Sequence, residues 1–380
     1  MKKNIKIILP LALLLSGTNL SAFELKKSIG DVDSKLKIYG FSQLEARGGD
    51  GSIGENQNAD IKFQAQRIRL GMNYRANDKV FGKLFLDFNK AHNDKSGVGL
   101  PDMVKDAFVG YKQSNNFYAK IGLMKLPHGM GFTLPGWNLD VVERGFDKKL
   151  AMERGMGIML SGRGVGGTGN KTNGFEMGHE RPWNGFGYDL MIANQAGRSG
   201  AVTNAKTGDD NAYSARVMYD KGEILHTELS YAVSKEAGGI ESPTEDYSSV
   251  NFGVDSHFGR ANAKFEYFDA QNIKGVDGWD ESTYALTGTY YVTDTFELAL
   301  KHIQGNATKA NIETDLGNTY LGINYYLSPF DNKMSRGAKR KRNAHRLQLN
   351  YVVASGDKEE WNGLGGYGDD AWLAQYQYKF

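Results

Sequence analysis

Three short segments carry residue types that bind phosphate, zinc or acyl substrates in other proteins. Gly164–Thr172 resembles a phosphate-binding loop, but Asn170 separates the last glycine from Lys171, and no apolar strand leads through it into a helix. His179-Glu180 lacks the second histidine of a zinc-protease helix. No Gly-x-Ser-x-Gly nucleophile elbow occurs. With seven scattered histidines and no cysteine, we expect no metal site, no cofactor and no catalytic residue.

The charged residues are spaced more regularly, because they fall on every second position of apolar segments. Ile68, Leu70 and Tyr74 share one face of such a segment, and Arg67 and Arg69 take the other face. Successive side chains of a β-strand point to opposite sides of the sheet, so this spacing predicts strands with one apolar and one polar face. The same alternation predicts eight basic residues on the polar face: Arg67, Arg69, Lys83, Lys120, Arg216, Lys264, Lys301 and Arg346. It adds seven acidic residues: Asp87, Asp106, Asp189, Glu228, Asp255, Glu266 and Glu297.

Charges on the polar faces of a closed sheet would line a water-filled pore. Arg67, Arg69, Lys83 and Lys120 come from consecutive hairpins, so we expect them to be neighbours. Four basic residues of a long segment extend this set as predicted constriction residues, namely Arg144, Lys148, Lys149 and Arg154. One interpretation is a basic patch that imposes a field across the pore and selects ions. The other is a wall of salt bridges without selectivity, and the sequence leaves both open.

These charged faces belong to a unit of strand, tight turn, strand and longer loop that recurs along the chain. We count 16 strands, of which the first spans 35–46 and the last ends at Phe380. An even number returns both termini to one side, as in bacterial barrels. Long connections near 47–60, 91–103, 125–153, 197–211, 235–247, 270–282, 304–317 and 355–369 are assigned to the extracellular side. The sequence therefore predicts an all-β fold, a 16-stranded antiparallel transmembrane β-barrel.

Aromatic residues beside the short turns indicate that lipid surrounds the barrel. They share the apolar face: Tyr74, Tyr111, Tyr219, Phe258, Tyr290, Phe296, Tyr325 and Phe380. Amphipathic rings at one height are typical of a membrane interface, whereas a soluble sandwich buries its aromatics in mid-strand. The last strand also alternates, with Trp372, Tyr376 and Phe380 on one face, and it resembles the C-terminal signal of outer-membrane proteins.

The longest connection, 125–153, is the third of the extracellular loops and is rich in glycine. A barrel of this size leaves an aqueous channel unless something narrows it. We predict that this loop folds into the lumen and forms the constriction. A loop on the outer surface is the alternative.

The N-terminus has the composition of a secretory signal peptide. A basic start and the short apolar run Ile7–Leu15 lead to the small-residue exit Ser21-Ala22. We assign 1–22 to the signal peptide, 23–34 to a short periplasmic segment and 35–380 to the barrel. Without Lys2, Lys3 and Lys6 the net charge falls from +2 to near −1, which argues against nucleic-acid binding.

Two predicted periplasmic connections, 164–185 and 328–343, are unusually long. The second contains the basic run Lys339–Arg342. This run is either a solvated loop or a contact for the anionic phospholipid headgroups of the inner leaflet.

Three segments carry a family resemblance, which is strongest over 35–200. They are Ala107–Tyr111 (AFVGY), Ile121–Gly129 (IGLMKLPHG) and Val142–Arg144 leading to Glu153–Arg163 (ERGMGIMLSGR). In these segments the chain resembles the phosphate-selective porin O/P family. The resemblance implies an outer-membrane porin, a homotrimer with an inward third loop that passes small hydrophilic solutes or anions. The ladder of closely spaced arginines known from phosphate-specific members is not found here.

The resemblance and the residues together give one expected function and two alternatives. We expect a general or mildly anion-preferring pore for small hydrophilic solutes, surrounded by outer-membrane lipid. A phosphate- or organic-anion-specific channel is the first alternative. An outer-membrane enzyme or adhesin on a barrel scaffold is the second.

Overall fold

The computed structural model describes residues 23–29, 32–49, 61–89, 103–167, 184–194, 211–222, 224–235, 245–327, 345–356 and 366–380. Within these ranges the chain is almost entirely β-sheet. The strands are β1 Phe23–Ile29, β2 Val32–Gly49, β3 Lys62–Arg75, β4 Val80–Asp87, β5 Val104–Lys112, β6 Tyr118–Lys125, β7 Arg154–Val165, β8 Asn184–Asn194, β9 Asn211–Lys221, β10 Leu225–Ser234, β11 Tyr247–Phe258, β12 Ala261–Gln271, β13 Asp280–Tyr291, β14 Phe296–Lys309, β15 Ile312–Tyr326, β16 His345–Gly356 and β17 Ala371–Lys379. In this part of the chain no helix is long and apolar enough to cross a membrane.

Strands β2 to β17 form a closed barrel. Each pairs antiparallel with the next in sequence, and β17 pairs with β2 from Lys379–Phe41 to Ala371–Gly49. Backbone hydrogen bonds of 3.1 and 3.0 Å between Gly40 and Phe380 complete this seam. The predicted 16-strand antiparallel barrel is confirmed. Closure is required because lipid offers no hydrogen-bond partner to the backbone N–H and C=O groups of a free strand edge.

An additional strand, β1, precedes the barrel. It pairs with the first part of β2, from Ile29–Val32 to Phe23–Ile38. The later part of β2, from Phe41 to Gly49, pairs with β17. Part of the predicted periplasmic segment 23–34 is therefore strand. The predicted signal peptide 1–22 lies outside the described residues, as do the run Lys339–Arg342 and most of 164–185.

Side chains alternate between the two faces as the sequence predicts. In β9, Ala212, Ser214 and Arg216 point inward and are buried, whereas Tyr213 and Val217 point outward and are exposed. Of the predicted girdle residues, six are exposed large side chains: Tyr74, Tyr111, Tyr219, Phe258, Tyr290 and Phe296. The apolar outer band and its aromatic rim therefore lie where the strand alternation predicts them.

The prediction of a loop at 304–317 is wrong. Strand β14 runs to Lys309 and β15 begins at Ile312, so these residues form a long hairpin. Ala310 and Asn311 turn the chain with φ of 52° and 63°. Positive φ at both central residues is the geometry of tight two-residue hairpins, in which no longer loop is needed.

Candidate functional site

The third loop, residues 126–153, connects β6 to β7. It contains the short helix α1 Met130–Thr133 and two turns of 3₁₀ helix, Gly136–Asn138 and Phe146–Leu150. Leu126, Val142 and Leu150 are completely buried. These side chains anchor the loop in the surrounding structure.

The first arm of the loop contacts the inner faces of β9 to β12. The Ser214 hydroxyl donates to the Pro127 carbonyl at 3.3 Å. The backbone N–H of Met130 donates to Asn251 Oδ1 at 3.3 Å, and that of Gly131 donates to both carboxylate oxygens of Glu266 at 3.0 and 2.9 Å. These bonds hold the start of the loop against the wall opposite β3 to β5.

The second arm contacts β2 and β15 to β17. Inward-facing amides on alternate positions of these strands bind its backbone. Gln43 Nε2 donates to the Gly136 carbonyl at 3.0 Å. Asn324 and Gln348 both donate to the Asp140 carbonyl, at 2.8 and 3.2 Å. Buried backbone groups need such partners, and the barrel wall supplies them where the loop has no regular secondary structure of its own.

Apolar side chains of the loop also pack into the wall. Phe132 and Leu150 join a buried cluster with Phe268 of β12, and Val142 and Phe146 join a second cluster. Trp137 packs on a third cluster and meets the Phe41 ring edge-on, with ring centroids 5.2 Å apart. The loop is thus anchored by both hydrogen bonds and apolar contacts.

Four arginines come together where the loop faces β3 and β7, and we call them the basic cluster: Arg67, Arg69, Arg144 and Arg154. Burial and the positive charges of the other three lower the pKa of the Arg144 guanidinium well below its usual range. Arg69 pairs with Asp87 at 2.8 Å, and Arg154 pairs with Asp106 at 3.1 Å. Two wall carboxylates therefore offset only part of the charge of the cluster.

Four basic residues near this side of the lumen form no ion pair within the described part of the chain. Arg67 donates to Gln43 Oε1 at 2.6 Å. Arg144 donates to the Gly131 carbonyl at 2.9 Å and to the Leu134 carbonyl. Lys125 donates to the Phe132 carbonyl at 2.5 Å. Lys120 lies 5.6 Å from the centre of the Phe108 ring. These contacts of the four residues are thus with neutral acceptors and a ring, not with a carboxylate.

The remaining predicted strand cations contact carboxylates or loop carbonyls. Lys83 pairs with Asp106 at 2.7 Å, and Arg216 pairs with Asp189 at 2.7 Å. On the other side of the lumen, Lys264 pairs with Asp140, Lys301 with Asp147 at 3.6 Å, and Arg346 donates to the Leu139 carbonyl at 2.6 Å. These last three hold the third loop.

Lys148 and Lys149 do not join the basic cluster. Lys148 pairs with Glu153 at 2.6 Å. Burial alone would raise the pKa of the Glu153 carboxyl, but Lys148 and other nearby cations outweigh it and lower the pKa to about 2. Burial, Lys274 and Lys148 lower the pKa of Lys149. Both lysines thus lie near the C-terminal end of the loop and interact with residues outside the basic cluster.

Of the seven predicted acidic residues, four pair with arginine or lysine, and three have other contacts. Asp255 accepts from Asn262 at 2.6 Å and lies 3.1 Å from His257. Glu266 accepts from the loop backbone, and Glu297 accepts from Asn324 at 3.0 Å. These three lie on β11, β12 and β14.

Sequence reasoning missed several charged residues of the lumen, among them Arg47, Glu45 and Arg163. Arg47 pairs with Glu45 at 2.8 Å and lies 3.8 Å from Glu143 of the loop. Arg163 pairs with Asp189 at 2.9 Å, and Lys125 is another. Arg47 and Arg163 continue the inward parity beyond the predicted strand ends, so longer strands would have included them.

Comparison with known proteins adds a family and a fold. The model of the family "phosphate-selective porin O and P" matches residues 37–246. A search of curated proteins gives no match.

Solved outer-membrane structures share the architecture at low sequence identity. The anion-selective porin from Comamonas acidovorans superposes with a TM-score of 0.58 and 15% identity, covering 91% of this chain and 100% of that chain. OmpF of Salmonella typhi, in complex with daunomycin, has a TM-score of 0.59 and 12% identity over 91% and 98%. The trimer form of OmpT from Vibrio cholerae has a TM-score of 0.55 and 13% identity over 91% and 99%. At these identities the likeness concerns the fold.

Proposed function

Since this chain belongs to the phosphate-selective porin O and P family and is an outer-membrane porin, we propose that its pore prefers anions to cations. The porin forms a water-filled channel through which small hydrophilic solutes diffuse passively, because a 16-strand barrel is wide enough to enclose water. The direction of net flow then depends only on the solute gradient. The proposal concerns the charge selectivity of the pore, that is, whether anions or cations pass more easily.

The observation that carries the proposal is a set of four cations that form no ion pair among the described residues, Arg67, Lys120, Lys125 and Arg144. Fixed charge at the narrow part of a pore attracts counter-ions and repels ions of the same sign. Lys264 and Lys301, which hold the third loop on the opposite side, pair with carboxylates, so they contribute less to the field in the water. The anion-selective porin that shares this fold is consistent with the proposal.

The test is the reversal potential of the refolded protein in a planar bilayer under a potassium chloride gradient. The parent channel should reverse at a potential of the sign set by chloride. Arg67→Gln and Arg144→Gln should each lower the chloride-to-potassium permeability ratio about twofold, and the double variant more, because each removes one uncompensated charge.

Arg260→Gln is the matched control. It removes the same charge from a periplasmic turn, where Arg260 pairs with Asp294 at 2.6 Å. Its permeability ratio should equal that of the parent. A parent channel that favours potassium, or an Arg67→Gln channel with unchanged selectivity, contradicts the anion preference. Saturable block of the current by added phosphate would instead favour a phosphate-specific channel.

We further propose that the porin is a homotrimer, as the OmpT form with the same fold is described to be. The expected result is a protein mass three times that of one mature chain, measured by light scattering with correction for bound detergent. A mass equal to one chain contradicts the trimer.

A further inference from the structure

A cavity lies between the third loop and the inner faces of β12 to β14. Residues of the loop and of these three strands line it together. Phe132, Leu134 and Leu139 of the loop and Phe268 of β12 form an apolar floor. A ring of charged side chains surrounds this floor.

Two of the charged side chains that line the cavity, Arg144 and Glu266, form no ion pair within the described residues. Both are held by the backbone of Gly131. Its N–H donates to Glu266 at 2.9 Å, and its carbonyl accepts from Arg144 Nε at 2.9 Å. One residue therefore fixes a positive and a negative group at a set spacing along the cavity wall.

The other charges of the cavity are already matched. Lys264 pairs with Asp140, and Lys301 lies 3.6 Å from Asp147. Burying an ion without an opposite charge is costly, and Glu266 has only neutral donors, which include Asn251 Nδ2 at 3.0 Å. Asp147 is also buried, and its Oδ1 accepts no hydrogen bond. These carboxylates can still take up a donor from a bound molecule.

We propose that this cavity binds small zwitterions, namely α-amino acids with an apolar side chain. The ammonium group would bind Glu266, the carboxylate would bind Arg144, and the side chain would lie on the apolar floor. Both charged groups and the apolar residues line one cavity, so a single small molecule can contact all three. Each group of the ligand thereby meets a group of opposite charge.

The arrangement also discriminates against simpler ions. An anion gains only at Arg144, and a cation gains only at Glu266. A molecule with both charges gains at both ends. The site shares Arg144 with the proposed anion preference of the pore, so Glu266, which only the leucine site uses, separates the two proposals.

Equilibrium dialysis of labelled L-leucine against the folded porin in detergent tests the proposal. We expect saturable binding of one leucine per chain. N-acetyl-L-leucine lacks the ammonium group, isoamylamine lacks the carboxylate and glycine lacks the side chain. Each should compete at least tenfold more weakly than unlabelled L-leucine.

Glu266→Gln is the decisive variant, because it removes the charge and keeps an oxygen to accept from Gly131 and Asn251. It should weaken leucine binding at least tenfold. The control is Glu281→Gln, which neutralises a buried acid of β13 outside the cavity lining and should bind leucine like the parent.

Three results overturn the proposal: no saturable leucine uptake, equal binding by the Glu266→Gln variant, or equal competition by N-acetyl-L-leucine. The last comparison uses only the parent protein, so it decides even where the variant does not fold. Dialysis needs no ion current. A porin without anion preference can therefore still bind leucine, and an anion-selective porin can fail to bind it.

Discussion

At the scale of the residue, inward-facing arginines of equal parity differ in their partners. Arg346 is fully buried and binds the Leu139 carbonyl, 207 positions away in the chain. Arg67 has the same parity on its strand, but its partner is a neutral amide of the wall. Parity predicts that both arginines face the lumen. The partner of each is set by the path of the loop, which a local sequence pattern does not contain.

His128 illustrates a titratable residue at the base of the loop. It is completely buried, and its Nδ1 accepts from the backbone N–H of Met152 at 3.3 Å. Burial lowers the pKa of this imidazole to about 4. The folded protein therefore disfavours protonation, so stability is complete above the ordinary pKa of 6.5 and falls as the pH drops from there towards 4.

We predict that the parent loses up to roughly 3 kcal/mol more free energy of unfolding between pH 7 and pH 4 than His128→Asn does. Asparagine keeps an acceptor near the Met152 N–H and does not titrate. Urea unfolding in lipid vesicles at both pH values measures the difference. Carboxyl groups also titrate in this pH range, so the effect of His128 is the difference between the two proteins in their loss of unfolding free energy. Identical pH profiles would show that His128 does not carry this effect.

At the scale of the element, strands were predictable and one connection was not. The alternation that defines β3 and β17 is local, so each strand can be recognised from its own residues. The polar composition of 304–317, with Gly305 and Gly317, predicts a loop. Its strands continue nonetheless, since every position from Glu297–Asn324 to Lys309–Ile312 is paired. Pairing with a neighbour compensates for a composition that is typical of loops.

The turn of this hairpin permits a stability prediction. Ala310 has a φ of 52°, a conformation that costs a residue with a Cβ about 1–2 kcal/mol. Ala310→Gly should therefore raise the free energy of unfolding by about 1 kcal/mol, after the greater chain entropy of glycine is subtracted. Urea denaturation measures the change.

Ala307→Gly serves as the comparison. The substitution is the same, but Ala307 lies within β14, where glycine should lower the free energy of unfolding by roughly 1 kcal/mol. Changes of equal sign in the two variants would contradict the role of the turn conformation.

At the scale of the whole molecule, the barrel presents lipid with a continuous apolar surface. Leu286 and Leu298, on β13 and β14, are about half exposed on this outer face. This surface was predictable because it follows from the same alternation in every strand. The contacts of the third loop with the wall were not, because they join residues far apart in the chain, such as Met130 and Asn251, which are 121 positions apart.

The lipid-facing surface predicts a dependence on depth. Leu286→Arg puts a charge in the middle of β13 and should cost roughly 2–4 kcal/mol of unfolding free energy in phospholipid vesicles. Tyr290→Arg lies on the same face beside the short turn and should cost at most about 1 kcal/mol. Equal costs for the two substitutions would mean that the hydrocarbon layer does not cross β13 at Leu286.

The anchors of the third loop set an order for assembly. The loop is complete once β7 has been made, but Asn324, Gln348 and Gln377 belong to the last three strands of the chain. Until those strands arrive, the Asp140 and Trp137 carbonyls lack their partners on the wall. The closing step at the β2–β17 seam therefore also completes the anchoring of the second arm. We expect the first arm to become fixed once β9 to β12 are in place, and the second arm only when the final strands have paired.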